Sequence, residues 1–289
     1  MKIYIDGEYY SEDEAKISVF DHGLLYGDGV FEGIRFYNGR VFELDRHLDR
    51  LYKSARVLMI QLSLSPAEMK AKVIETIRKN ELQDGYVRLL VTRGVGNLGL
   101  APDSCKSPSV IIIASTISLY PKEMYDQGLT VVTAATRRNS STAMPPAVKS
   151  LNYLNNILAK IEAAQAGTVE ALMLNESGYI AECTGDNLFV VRDGKIATPP
   201  VSAGSLWGIT REVVMRLAKE SGYEVETPEL TRYDVWTADE CFLTGTAAEV
   251  IPMVKLDSRP IGDGKPGPVT QELMRQYSEL TRRSGDPIA

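Results

Sequence analysis

At 289 residues the chain has room for about two domains, and 44% hydrophobic with 24% charged residues is the balance of an ordinary globular protein. The 32 basic and 38 acidic residues give a net charge of −6, which argues against a nucleic-acid surface. Three scattered cysteines without a C-x-x-C, and His22 and His47 as the only histidines, argue against a disulfide framework, a zinc ribbon or a His-rich metal centre. No apolar run approaches the roughly 18 residues of a membrane span, and the opening MKIYIDGEYY lacks a signal-peptide core, so a cytoplasmic protein is expected.

In chain order, Lys2–Ile5 and Glu8–Tyr10 read as a hairpin on the Asp6-Gly7 turn. A loop at 20–29 leads to a strand at Val30–Phe36, which Asn38-Gly39 turns into Arg40–Phe42. Leu48, Leu51, Ala55 and Leu58 recur at helical spacing over 45–58. Ser65-Pro66-Ala67-Glu68 is a capping box with proline in the first turn, and predicts a helix to about Asn80. Strand-like runs follow at Tyr86–Thr92 and Ser109–Ile117. The polar stretch LYPKEMYDQG marks an interdomain loop, dividing the chain into 1–117, a connection at 118–128, and 129–289. The second part predicts strands at 129–135, 170–174, 179–182, 187–192, 195–198 and 240–244, with helices at 152–166, 210–221 and near 269–282. Strands and helices are mixed without a regular β-α-β period, which favours two α/β or α+β domains over one doubly wound sheet.

Four segments could carry chemistry. Lys149 lies between a Pro-Pro loop and an apolar helix, where a desolvated amine becomes nucleophilic; position alone fits an ordinary solvated lysine better. Gly208-Ile209-Thr210 opens a helix and suits a phosphate, although threonine is equally a simple cap. Gly245-Thr246-Ala247-Ala248 offers a hydroxyl and exposed amides, or is a plain turn. Glu182 closes an apolar strand and either meets a buried cation or faces solvent; Arg50, on its helix, divides between phosphate ligand and solvated face.

Six segments together resemble the fold-type IV pyridoxal-phosphate enzymes, and among them the branched-chain amino acid aminotransferases: YGDGVFEGIR at 26–35, RHLDRL at 46–51, KSLNYLNN at 149–156, ECTGDNLF at 182–189, GITR at 208–211 and GTAAE at 245–249. The resemblance runs from near residue 3 to near residue 253, in family order. It implies the two-domain fold of that group, with the Schiff-base lysine in the C-terminal domain. Lys149 would hold pyridoxal 5′-phosphate and shuttle the substrate proton, Glu182 would face the pyridine nitrogen, and Tyr153 would bond the ring hydroxyl oxygen. Arg50, Ile209, Thr210 and Thr246 would hold the phosphate, with Leu206 against the ring. Tyr26, Phe31, Gly33 and Tyr86 would line an apolar side-chain pocket, Arg88 would receive the distal carboxylate of glutamate, and Thr246-Ala247 amides the α-carboxylate. The implied reaction moves the amino group of L-leucine, L-isoleucine or L-valine to 2-oxoglutarate by a ping-pong route, in a homodimer or hexamer whose loop at 95–100 reaches a neighbour.

D-amino acid aminotransferases share the fold but carry an Arg-x-His trap, and RGVGNLGL at 93–100 has no histidine. Aminodeoxychorismate lyase shares the lysine and glutamate but fits Phe31–Gly33 poorly. A hydrolase using Glu32 with Glu182 would leave Lys149 and both phosphate turns without a use.

Overall fold

The computed structural model describes all 289 residues. The chain forms two compact units, 1–117 with 148–152 and 281–289, and 118–147 with 153–280. The segment containing Lys149 therefore counts with the first unit, not with the C-terminal part where the sequence places it, as do the last nine residues.

The first unit begins with the expected hairpin, β1 (Lys2–Ile5) and β2 (Glu8–Ser11), on an Asp6-Gly7 turn whose two φ angles are +49° and +107°. Helix α1 (His22–Tyr26) occupies what reads as a loop; five residues with a glycine inside are too short to show a period, and the Asp21 side chain caps it by accepting from the Gly23 N–H. Strand β3 (Gly29–Tyr37) turns through Asn38-Gly39 into the two-residue β4 (Arg40–Val41). Helix α2 (Leu44–Val57) buries Leu44, Leu48, Leu51 and Ala55 along one stripe, each leucine contributing roughly 1.5–3 kcal/mol of transfer free energy. Helix α3 (Pro66–Lys79) starts at the predicted capping box, with Ser65 and Glu68 bonding reciprocally. Strands β5 (Gly85–Thr92) and β6 (Ser109–Ser115) pair antiparallel with each other. The even-numbered residues of β3, Val30, Ile34 and Phe36, pack with Val87, Leu89 and Val91 of β5 and with α2 and α3 into one core. The odd-numbered face of β3 is left for other purposes.

In the second unit the expected connection at 118–128 holds a helix, α4 (Lys122–Gln127). Strand β7 (Leu129–Thr133) runs parallel to β8 (Glu170–Leu174), and helix α5 (Leu154–Gln165) lies between them in sequence. Ala159 and Ala163 of α5 pack on Ala171 and Met173 of β8. Next come β9 (Ile180–Cys183), β10 (Asn187–Arg192), β11 (Lys195–Ala197), α6 (Ile209–Glu220) and β12 (Val225–Glu226). Helix α7 (Arg232–Trp236) precedes β13 (Glu240–Gly245), β14 (Glu249–Leu256), β15 (Arg259–Pro260) and α8 (Pro268–Arg283). β14 is absent from the sequence reading, yet it sits between β13 and β7 in the nine-stranded sheet, ordered β12-β11-β10-β13-β14-β7-β8-β9 with β15 added on β14. Pro252 in its middle hides it, because proline cannot donate to a ladder and normally marks an edge or no strand at all. The chain's last strand, β16 (Asp286–Pro287), returns to the first unit and completes the antiparallel order β16-β4-β3-β5-β6-β1-β2. No helix is long and apolar enough to cross a membrane.

Candidate active site

In the first unit the side of the β3–β5 pair that faces away from the core gathers four of the predicted residues. Gly33 faces Arg88 in register, with Phe31 and Tyr86 diagonal to them on the same side. The Arg88 guanidinium lies 4.7 Å from the Phe31 ring centroid and 5.4 Å from that of Tyr86. Gly33 is required by a close approach: a Cβ there would fall 1.8 Å from the Tyr86 hydroxyl oxygen. A fifth predicted residue, Lys149, joins them and is held by its backbone. Its carbonyl accepts from the Phe31 N–H at 3.0 Å, its N–H donates to Ser54 Oγ at 3.2 Å, and Ser150 bridges Val30. Its Nζ stands 4.6 Å from the Phe31 ring centroid, so the amine lies against aromatic surface instead of extending into water. Tyr26 stands apart from this group on α1, where its hydroxyl donates to Leu98 O at 2.5 Å while His22 Nε2 bonds Asn97 O at 2.8 Å. Both therefore tie α1 to the loop at 95–100.

Arg50 lies on α2, against the core side of β3, and is joined there by two residues that sequence reasoning did not assign. Its Nε and Nη2 donate to the two oxygens of Glu32 at 2.7 and 2.8 Å, and His47 Nδ1 lies 2.8 Å from Glu32 Oε2. Glu32 is fully buried among the leucines of the core. Burial pushes its carboxyl up, but the Arg50 charge and the hydrogen bonds from Arg50 and His47 outweigh burial and bring it down to about 2. Burial also pushes the His47 imidazole down, against the pull of Glu32. Both groups take up protons more readily in the unfolded chain, so both contribute stability that is lost on acidification; for Glu32 the loss runs from its ordinary 4.5 down through about 2. Glu32→Gln is therefore expected to lower stability by about 3 kcal/mol at pH 7. In urea unfolding the gap to the natural protein should narrow as pH falls below 4.5 and be mostly lost by pH 2, and a gap undiminished at pH 2.5 would contradict this account. A hydrolase reading loses its first carboxylate, because Glu32 is enclosed by Arg50, His47 and the core.

In the second unit Glu182 lies one residue before the end of β9 and is 5% exposed. Its Oε1 accepts from Arg138 Nε at 3.1 Å, with Arg138 Nη2 at 3.0 Å, and its Oε2 accepts from the Leu206 N–H at 2.9 Å and Asn187 Nδ2 at 3.2 Å. Arg138 in turn donates through Nη1 to the side-chain oxygens of Asn139, Asn155 and Asn156. Asn155 and Asn156 open α5 just after Tyr153, which stands at its N-cap position. Arg138 and these asparagines were missed: from the sequence, Arg138 is one polar residue in a polar loop, and only the fold brings it to Glu182.

The two predicted phosphate turns flank the start of β10. Gly208 caps α6 without any side-chain bond, leaving the first-turn amides at Ile209 and Thr210 to a ligand or to water. A Cβ on Gly208 would lie 1.9 Å from Asn187 Oδ1, and one on Gly245 would lie 1.9 Å from Asp186 Oδ1. Both glycines thus let their turns press against the Asp186-Asn187 pair, with the half-buried Thr246 and Ala247 following Gly245. Uncapped amides at a helix start, two threonine hydroxyls and a carboxylate encircled by N–H donors are a donor set that fits an anion and, at Glu182, a protonated ring nitrogen. The residues present therefore match a phosphorylated pyridine cofactor.

A family model described as "Amino-transferase class IV" matches residues 29–256, so the chain belongs to that family. More particularly, it is 50% identical over 285 residues to a Methanocaldococcus jannaschii protein provisionally named a branched-chain-amino-acid aminotransferase, covering 99% of this chain and 98% of the relative. The fold matches the branched-chain amino acid aminotransferase of Escherichia coli with a TM-score of 0.96 at 36% identity, covering 100% of this chain and 99% of that one. It also matches the T.th. branched-chain amino acid aminotransferase complexed with N-(5′-phosphopyridoxyl)-L-glutamate, with a TM-score of 0.92 at 40% identity over 97% and 94% of the two chains.

Proposed function

We infer that this chain is a branched-chain amino acid aminotransferase that uses pyridoxal 5′-phosphate to move the amino group of L-leucine, L-isoleucine or L-valine to 2-oxoglutarate. The observation that carries the reading is the Lys149 amine set against Phe31 on the sheet face that holds Gly33, Tyr86 and Arg88. Bound cofactor would supply an electron sink for the charge left when the substrate Cα proton departs. Lys149 would hold the cofactor covalently when no substrate is present, and its freed amine would take the substrate Cα proton and deliver it to the cofactor carbon C4′. Glu182, held by Arg138, would orient and charge-balance the ring nitrogen, and Tyr153 would bond the ring hydroxyl oxygen. The Ile209 and Thr210 amides, the Thr210 and Thr246 hydroxyls and Arg50 would hold the phosphate, and Leu206 would lie against the ring.

Phe31, Gly33 and Tyr86 would face an aliphatic side chain, Arg88 would take the far carboxylate of glutamate, and the Thr246-Ala247 amides the α-carboxylate; Tyr26, tied to the loop at 95–100, is not gathered with them. One surface thereby serves both a hydrocarbon and a charged chain, since a guanidinium lying flat over aromatic rings presents its edges to a carboxylate and its face to the rings. Gly33→Ala would push the Tyr86 ring aside, and KM for L-leucine is expected to rise about tenfold, an overpacking cost of ~1–3 kcal/mol. An unchanged KM would show that the pocket lies elsewhere.

The test of the whole reading is an absorbance titration of the cofactor-loaded protein. L-leucine should remove the band of the lysine-bound cofactor and 2-oxoglutarate should restore it, whereas D-alanine should do neither. A response to D-alanine alone would move the assignment to the D-specific relatives. The enzyme is further read as a cytoplasmic homo-oligomer. Supporting the oligomer, Val95, Leu98 and Leu100 are exposed on the loop tied to α1, and Leu154, Ile157, Leu158 and Ile161 on α5, apolar side chains of the kind an interface covers. A monomer's mass by light scattering would overturn that part.

A further inference from the structure

The second unit holds a cavity of about 430 Å³ that the proposed reaction does not use, and three arginines from distant parts of the sequence line it: Arg137, Arg232 and Arg259. None of the three has a carboxylate partner within ion-pair distance, in a chain whose net charge is −6. The Arg259 guanidinium lies 4.1 Å and that of Arg232 5.3 Å from the Trp236 ring centroid, so one indole holds two cations beside each other. Trp236 Nε1 is itself buried with no acceptor. The one acidic group in the lining, Asp257, is already engaged: its oxygens accept from the Thr133 N–H at 2.6 Å and from Thr133 Oγ1 at 2.8 Å.

The three arginines stand on fixed backbone. Arg232 is the first residue of α7, whose capping box joins Thr231 and Asp234. Arg259 follows the tight Asp257-Ser258 turn, with φ of +49° and +65°, into β15. Arg137 is flanked by Thr136, whose N–H and hydroxyl donate to Glu162, and by Arg138, whose N–H donates to Leu174 O. All three arginines are exposed, so water screens part of their mutual repulsion, while planar guanidiniums stacked on a ring keep their N–H edges for oxygen ligands.

We propose that this cavity is a binding site for a small, multiply charged oxyanion, a phosphate ester or polycarboxylate, separate from the residues assigned to the cofactor. Its volume lies in the usual range for small-molecule sites. It does not depend on the aminotransferase assignment, because none of its residues is used there. The probes are inorganic pyrophosphate and citrate, titrated calorimetrically into protein already saturated with pyridoxal phosphate so that the phosphate turns are occupied. One equivalent per chain should bind, more weakly at higher salt, and the fluorescence change of Trp236 should track it and vanish in Trp236→Phe. Arg232→Ser with Arg259→Ser should weaken binding about tenfold or more; Arg137→Ser, in an exposed segment, should weaken it in a variant with less risk of misfolding. Preference for pyrophosphate or for citrate distinguishes the two ligand classes. Absence of binding by either probe, affinity untouched by the arginine changes, or binding of a long polyanion such as heparin alone would overturn the proposal.

Discussion

Lys149→Ala is expected to lower transamination turnover by ~10⁴-fold or more, since it removes both the covalent anchor and the general base and acid. The fold should survive. What pins this segment is backbone: the Phe31 N–H to the Lys149 carbonyl, the Lys149 N–H to Ser54 Oγ, and the Val30–Ser150 bridge. None of these needs the lysine side chain, so the urea midpoint should stay close to that of the natural protein while activity disappears. Lys149→Arg should be as inactive, because a guanidinium keeps the charge over Phe31 but cannot give up its proton near neutral pH. A Lys149→Ala protein keeping a tenth of its turnover would remove the lysine from the mechanism and with it the central assignment.

Arg138→Met should be costly in a different way. It strips Glu182 of its guanidinium partner and leaves a carboxylate 5% exposed that the neutral Leu206 N–H and Asn187 amide do not charge-balance. Breaking one side of a buried ion pair costs roughly 3–5 kcal/mol, and thermal unfolding should fall accordingly. Asn139, Asn155 and Asn156 also lose the donor that gathers their side-chain oxygens. Arg138→Met with Glu182→Met should recover part of the stability, because no unpaired charge then remains. Activity should not recover with it: Glu182 is assigned to the ring nitrogen, and loss of that electrostatic partner is expected to cost about 10²–10³-fold in turnover. If the double variant regains turnover together with stability, Glu182 is structural and the ring nitrogen is met by another group. If Arg138→Met unfolds at the natural temperature, the pair does not carry the stability assigned to it here.

These two residues also mark the limit of what linear reading can find. Lys149 stood out because a known set of segments surrounds it, although its neighbours in sequence suggested an ordinary helix-flanking lysine. Arg138 gave no local sign, since its partner Glu182 is 44 residues away and two of its asparagines are 17 and 18 away. The pairing of Glu32 with His47 and Arg50 was hidden for the same reason, its partners being 15 and 18 residues away. Glu32 occupies a core-facing position of β3, where a period of two predicts an apolar residue, and only α2 supplies the charges that make it tolerable there.

By itself the sequence determined the features whose causes lie within a few residues. The Ser65–Glu68 capping box started α3, Asp6-Gly7 and Asn38-Gly39 made their turns, and the leucine stripe of α2 chose its buried face. Local hydrogen bonds and side-chain period are sufficient there, because the groups that satisfy one another are neighbours along the chain. Tertiary structure decided the rest. It made the proline-bearing β14 a central strand, gave Lys149 to the first unit, and enclosed Glu32 and Glu182 among cations from other elements. It also set three arginines around one tryptophan. In each of these, burial and charge neutralisation are settled by groups tens of residues apart, and no local pattern records which of them will meet.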